Sequence, residues 1–207
     1  MTSLRALAPL AVTVLSLAAC TGGTPQSSPT PPTTTPPAAS PSQSPLAAYR
    51  HSELDLCEAT DLAPLAKLKL TVKEKRRTVP AGHTKGEGEA CLHEMTTSGG
   101  HIARLTVEAI PADSVDEAQG MYQAVEQDSM KADGPVAGPW EQGGGRTLDT
   151  TQGYKHSEYL VHTLSGNLHI SVWLAVGGEA YTPKEELAPM VEAIAAETYT
   201  TVTRAWK

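Results

Sequence analysis

From residue 101 to residue 110 the chain alternates. Ala103, Leu105, Val107 and Ala109 fall on one side and Arg104, Thr106 and Glu108 on the other, the period-two pattern of a half-buried strand that Pro111 ends. Cys91 to Met95 predicts a strand before it, joined through Ser98-Gly99-Gly100, and Gly82 to Gly88 reads as a loop. Further upstream, Thr60 to Ala66 predicts a short helix. Leu68, Leu70 and Val72 then alternate with Lys69, Thr71 and Lys73, predicting a first half-buried strand. After Pro111 the period changes. Ser114 and Glu117 form an S-x-x-E capping box, and Val115, Ala118, Met121, Tyr122 and Val125 recur at helical spacing.

Gly134 to Gly145 predicts a flexible loop around Trp140, and a hairpin follows it. With Gly166-Asn167 as a two-residue turn, Ser165 faces Leu168, Thr163 faces Ile170, Val161 faces Val172 and Tyr159 faces Leu174. One face of that hairpin is apolar throughout. Thr182-Pro183-Lys184-Glu185 then supplies an N-cap, a first-turn proline and a capping glutamate. Leu187, Met190, Val191, Ile194 and Ala195 form the stripe of an amphipathic helix, with Pro189 able to reset its start. The β-branched tail Thr198 to Thr203 fits either a strand or an extension of that helix. The order is helix, three strands, helix, strand hairpin, helix. It predicts an α+β fold in which helices pack on an antiparallel sheet.

The N-terminus carries an address. Arg5 precedes an apolar run from Ala6 to Ala19 that is too short to span a bilayer, and Leu17-Ala18-Ala19-Cys20 closes it with small residues and a cysteine. This is the pattern of a bacterial lipoprotein signal, with residues 1–19 removed and Cys20 acylated to give a diacylglyceryl-type membrane anchor; the simpler alternative is an ordinary secretory signal with an incidental cysteine. Residues 20–45 are then the lipidated cysteine and a tether built almost entirely of Pro, Ser, Thr, Ala, Gly and Gln. It lacks the apolar content to fold and favours polyproline II at ~3.1 Å per residue. Residues 46–207 are left for one globular domain. The formal net charge of −7, made more negative when Arg5 leaves with the signal, argues against nucleic acid as a partner. With no Phe in the chain, Trp140, Trp173, Trp206 and the tyrosines must supply the aromatic bulk of the core.

With Cys20 acylated, Cys57 and Cys91 remain as a pair in an oxidising compartment, where a disulfide is expected. A metal site from Cys57, Cys91 and His93 lacks the close spacing that fixes a ligand set. The chain now shows a lipobox, a Pro/Ser/Thr linker, one cysteine opening a short helix (Leu56-Cys57-Glu58) and a second entering a strand (Ala90-Cys91-Leu92). Strand, helix, glycine-rich loop, hairpin and C-terminal helix follow. From about Asp55 onward this resembles the actinobacterial lipoproteins grouped under domain of unknown function 3558, departing from them at Leu92 and His93, where an aromatic is common. The resemblance implies a small fold similar to the Mog1/PsbP type on a surface protein without established activity. It carries over no catalytic residues.

Motifs for chemistry are sparse. His93-Glu94 opens like H-E-x-x-H, but Thr97 stands where the second histidine must be, and Gly143-Gly144-Gly145-Arg146 lacks the G-K-[ST] ending of a phosphate loop. No G-x-S-x-G elbow is present, and Glu185-Glu186 sits in a helix's first turn, where the macrodipole accounts for it. No cofactor and no metal are expected. Two surfaces stand out. The hairpin register places Leu160, His162, Leu164, His169 and Trp173 opposite the core, a candidate partner surface with Trp140 unless a helix covers it. Lys67, Lys69, Lys73, Lys75, Arg76, Arg77 and Lys85 form a basic stretch, read either as an edge strand guarded by charge or as a contact for anionic headgroups or wall polymers. The expected function is a non-catalytic binding or adaptor module on the outer face of the cell membrane, contacting an envelope protein or wall polymer. The alternatives are an envelope hydrolase with an unrecognised site and a carrier of a small apolar ligand.

Overall fold

The computed structural model describes residues 48–207. The expected signal segment, Cys20 and the tether lie outside the described residues. At Tyr49 the chain is fastened by Asn167: its Oδ1 accepts from the Tyr49 amide at 2.7 Å, and its Nδ2 donates to the carbonyls of Tyr49 (2.9 Å) and Ala112 (2.7 Å). Asn167 thus does more than turn the hairpin. Gly166 beside it adopts φ +56°, which a side chain would resist.

Helix α1 (Leu56–Ala59) starts at Asp55, whose Oδ1 accepts from the amides of Cys57 and Glu58. A 3-10 turn at Ala63–Leu68 follows and ends on Lys69 at φ +50°. The short helix expected at Thr60 to Ala66 is therefore this 3-10 turn, shifted toward Leu68, and α1 lies before it. The strand expected from Leu68 is displaced as well, because the left-handed residue at 69 breaks the extended run before it begins. Strand β1 is Thr71–Thr78, almost wholly exposed, and carries Lys73, Lys75, Arg76 and Arg77 of the basic stretch.

Strands β2 (Glu89–Thr96) and β3 (Ile102–Pro111) follow where the alternation places them. Helix α2 (Val115–Glu126) begins at Ser114, whose Oγ accepts from the Glu117 amide at 3.1 Å, while Glu117 Oε2 reaches back to the Asp113 amide at 2.9 Å. The segment expected to be a flexible loop is strand at its two ends, in β4 (Lys131–Pro135) and the start of β5 (Gln142–Gln152), and a connection only over 136–141. Its glycines belong to a strand because bulky groups lie against them. A Cβ on Gly143 would sit 2.2 Å from the Trp140 indole nitrogen, and one on Gly144 would sit 2.5 Å from His162 Nε2. Strands β6 (Tyr154–Ser165) and β7 (Leu168–Gly178) pair in the register read from the sequence, including Ser165↔Leu168 and Tyr159↔Leu174. Helix α3 (Lys184–Ala205) runs through Pro189 and absorbs the tail at Thr198 to Thr203. Its cap position is Pro183, and no side chain caps it; Thr182 instead donates its amide to Ser157 Oγ at 3.0 Å.

All seven strands form one antiparallel sheet in the order β1-β2-β3-β7-β6-β5-β4. Its inner face carries Leu105, Val107, Ile170, Val172, Leu174, Tyr159 and Val161. The stripe of α3 closes over it through Leu187, Val191, Ile194 and Val202, with Trp140 and Trp206 completing this core. Among the described residues no helix is long and apolar enough to cross a membrane. On the same inner face, Cys57 of α1 and Cys91 of β2, 34 positions apart in sequence, form a disulfide with Cα atoms 5.1 Å apart.

Replacing both cysteines by alanine should lower the unfolding free energy by about 4 kcal/mol, the chain-entropy value for a loop of this size. Equilibrium urea unfolding of the two proteins checks this. An unchanged midpoint would mean that β2 and α1 hold together by packing alone.

Candidate functional site

Topology decides what happens on the outer face. Strand β3 is followed in sequence by β4, but β7, β6 and β5 lie between them in the sheet. The connecting chain must cross those strands, and α2 makes the crossing. Its 12 residues span about 18 Å, close to the four strand spacings of about 4.8 Å that separate β3 from β4. One helix is only about 10 Å wide, whereas an 11-residue strand such as β7 is about 36 Å long. So α2 covers one end of the outer face and leaves the other end open.

The candidate partner surface falls mostly under that helix. His162, Leu164 and His169 are buried, with Tyr122 of α2 stacked on the His162 ring at 4.3 Å and Ala118 packed on Leu164. Leu160 is buried between Trp173 and Arg146 in the strand ladder. Trp140 stays in the connection 136–141 between β4 and β5, but it is folded inward: its indole donates to the Val136 carbonyl at 2.9 Å inside the inner core. Five of the six expected surface residues are therefore removed from the surface, four by α2 and ladder packing and Trp140 by packing into the inner core. Only Trp173 stays partly exposed.

Beneath α2 lies a polar cluster. Glu126 Oε1 sits 2.8 Å from His162 Nε2 but out of line with the ring N–H, and Glu126 Oε2 lies 3.5 Å from Arg146 Nη1. Buried Arg146 donates through Nη2 to the carbonyls of Asp128 and Met130, which ties β5 to the end of α2. Both ring nitrogens of His169 lack a hydrogen-bond partner, and its ring lies 6.4 Å from that of His162. Burial holds His162 below the usual histidine range against the pull of Glu126, and burial beside His162 and His83 pushes His169 down to about 4. On the inner face, burial and Lys75 likewise lower His93, whose Nε2 lies 3.3 Å from Cys91 Sγ. Among the described residues no three His, Cys, Asp or Glu side chains are grouped to hold a metal, and Cys57, Cys91 and His93 are organised around the disulfide instead.

The open end of the outer face is a shaped surface. A cavity of about 220 Å³ lies over Ala175 of β7, between Arg104 of β3 and Glu158 of β6, which flank Ala175 in one row across the sheet. Trp173 walls one end, its indole donating to Glu158 Oε2 at 3.0 Å. Tyr154, lying over Gly177 with His156 at 4.3 Å, walls the other. These residues rest on paired strands, the rigid support a binding site needs. A larger cleft of about 650 Å³, near His51 and the 80–88 loop, is walled mainly by loop and terminal residues such as Arg50, His83, Glu87 and Asp113. Of the cavity over Ala175, the sequence reading named only Trp173. Extending the hairpin register to Ser157↔Val176 and beyond would have placed Tyr154, His156 and Glu158 on the same face.

Lys73, Lys75, Arg76 and Arg77 of the basic stretch lie on the edge strand β1, next to β2 and unpaired on its other side, and Lys69 lies just before it. Part of its charge is used within the fold. Arg77 Nη2 lies 3.0 Å from both oxygens of the nearly buried Glu89, which also meets His51 at 3.1 Å, and Lys75 lies 3.5 Å from Glu58. Among the described residues Lys69, Lys73 and Arg76 make no ion pair, so a contact with an anionic surface would draw on these three.

The buried histidines make the fold acid-sensitive. A histidine held below its unfolded value stays neutral in the fold while the unfolded chain takes up a proton, so its contribution is intact above about pH 6.5 and is lost as pH falls toward the folded value. With His169 at about 4, its share is about 3 kcal/mol over that window. Urea unfolding at pH 7, 6, 5 and 4 should show stability falling through this range, and His169→Phe should flatten the fall. An equally steep fall in the variant would place the acid sensitivity elsewhere.

No protein-family model, no curated protein and no solved structure matches the chain.

Proposed function

We propose that this chain is a lipid-anchored extracytoplasmic binding module, held on the outer face of the cell membrane through Cys20 and acting without catalysis. The observation that carries this reading is the sequence Leu17-Ala18-Ala19-Cys20 at the end of a short apolar run, followed directly by a Pro/Ser/Thr tether. The disulfide between Cys57 and Cys91 supports it, since such bonds persist in oxidising compartments. The open cavity over Ala175 supplies a place for a ligand or partner to bind. Membership in the family grouped under domain of unknown function 3558, with a fold of the Mog1/PsbP type, belongs to the same proposal. It rests on the two cysteines and the order of elements. Lys69, Lys73 and Arg76 offer a further contact with anionic headgroups or wall polymers, worth ~1 kcal/mol per basic residue near a charged membrane.

Growth with a clickable fatty-acid analogue tests the anchor. The wild-type chain should take up the label and sediment with membranes, and Cys20→Ala should do neither. Label retained by the variant, or absent from the wild type, would contradict the reading.

A further inference from the structure

The cavity over Ala175 has a composition that selects among ligands. Its charge is balanced: Arg104 stands on one side and Glu158 on the other, and the two do not pair with each other, since Arg104 lies 3.8 Å from Glu94 and Glu158 accepts from Trp173. An anion would meet one guanidinium and a carboxylate; a cation would meet the reverse. A neutral ligand avoids both conflicts.

The walls carry aromatic rings with polar groups set among them. Trp173 and Gly177, over which Tyr154 lies, are four residues apart on β7, about 13 Å along the strand, and the small Ala175 lies midway. Arg104 can donate several hydrogen bonds, and Glu158 retains an oxygen that Trp173 does not use. His156, Thr150 and Gln152 add donors and acceptors on the β5–β6 side. A purely apolar ligand would leave these groups desolvated and unpaired, which disfavours it. A protein partner would want a larger apolar centre than this face offers: Ile102, 48 % exposed, is the one large apolar side chain at this cavity that is exposed.

A pyranose or furanose ring meets every condition. It is neutral, it has an apolar C–H face to lie on an aromatic ring, and its rim of hydroxyls both donates and accepts. The cavity admits one such ring and is open to solvent on the Arg104 and Ile102 side, so a neighbouring sugar in a chain could continue outward. We infer that the open end of the outer sheet face is a binding site for a neutral glycan, with Trp173 as the stacking platform and Arg104 and Glu158 as hydrogen-bonding partners on either side. This names a ligand for the binding role proposed above. It does not depend on acylation of Cys20, so the labelling experiment and the one below can fail independently.

The full chain, kept in solution with a polyoxyethylene detergent that has no sugar headgroup, is applied to an array of neutral oligosaccharides built from hexoses, pentoses and N-acetylhexosamines, with acidic glycans alongside. Wild type should be retained on neutral oligosaccharides, and added salt should not release it. Trp173→Ala and Arg104→Ala should each bind roughly tenfold more weakly, the effect of losing a stacking surface or a charged hydrogen bond. Arg104 is half exposed, so its variant should keep the wild-type thermal unfolding and decides the matter if Trp173→Ala does not fold. The inference is overturned by wild type that binds no neutral oligosaccharide. It is equally overturned by binding that survives Arg104→Ala undiminished, or by binding confined to acidic glycans and abolished by salt.

Discussion

The pairing of β3 with β7 holds this molecule together. Nine residue pairs, from Ala103↔Val176 to Pro111↔Leu168, join a three-stranded meander at one end of the chain to a four-stranded one at the other. Every other strand contact is between neighbours in sequence. This seam also carries much of the inner core, with Leu105, Val107, Ile170, Val172 and Leu174 all fully buried. Burying side chains of this size contributes about 1.5–3 kcal/mol each, so the seam alone gathers a large share of the apolar stabilisation. Its Pro111↔Leu168 end is secured by polar contacts at Asn167, where the hairpin turn, the Ala112 carbonyl and the Tyr49 backbone meet.

The seam dictates the division of the outer face. Because β7 occupies the position beside β3, β4 can join only at the far edge, and α2 must travel across the sheet to reach it. A short helix crossing strands of this length shields a band and no more. Beneath the band the protein buries two histidines and an arginine, and Gly144 gives His162 and Glu126 the room to do so. Arg146 is tied to main-chain carbonyls, whereas the histidines are kept neutral by burial, an arrangement stable near neutrality and weakened in acid. Outside the band the strands leave a trough floored by Ala175. The buried cluster and the open cavity are two consequences of one crossover.

Much of the fold was legible because its strands alternate cleanly. The β6–β7 register follows from a single turn, Gly166-Asn167, and the inner face of β3 from Ala103 to Ala109. The disulfide followed from cysteine count and compartment. The failures have local causes. Gly143 to Gly145 read as loop because glycine has no side chain to show a period, while His162, Glu126 and Tyr159, which lie against the strand, come from distant segments. Leu68, Leu70 and Val72 mimic a strand, yet the 3-10 turn and left-handed Lys69 place the strand later. The partner surface was misread because pairing register tells which face a residue occupies and says nothing of where on that face a helix lies. Of that surface, Trp173 alone falls on the open end.

Graded oxidation of the native chain with N-bromosuccinimide, with peptide mapping of its three tryptophans, shows whether the outer sheet face is open beyond α2, the inner-core tryptophans Trp140 and Trp206 serving as the buried reference. Trp140 and Trp206 are 9 % and 2 % exposed and Trp173 is partly exposed, so Trp173 should react first and alone at low reagent. Reaction of Trp140 or Trp206 as fast as Trp173, or protection of all three, would contradict the account.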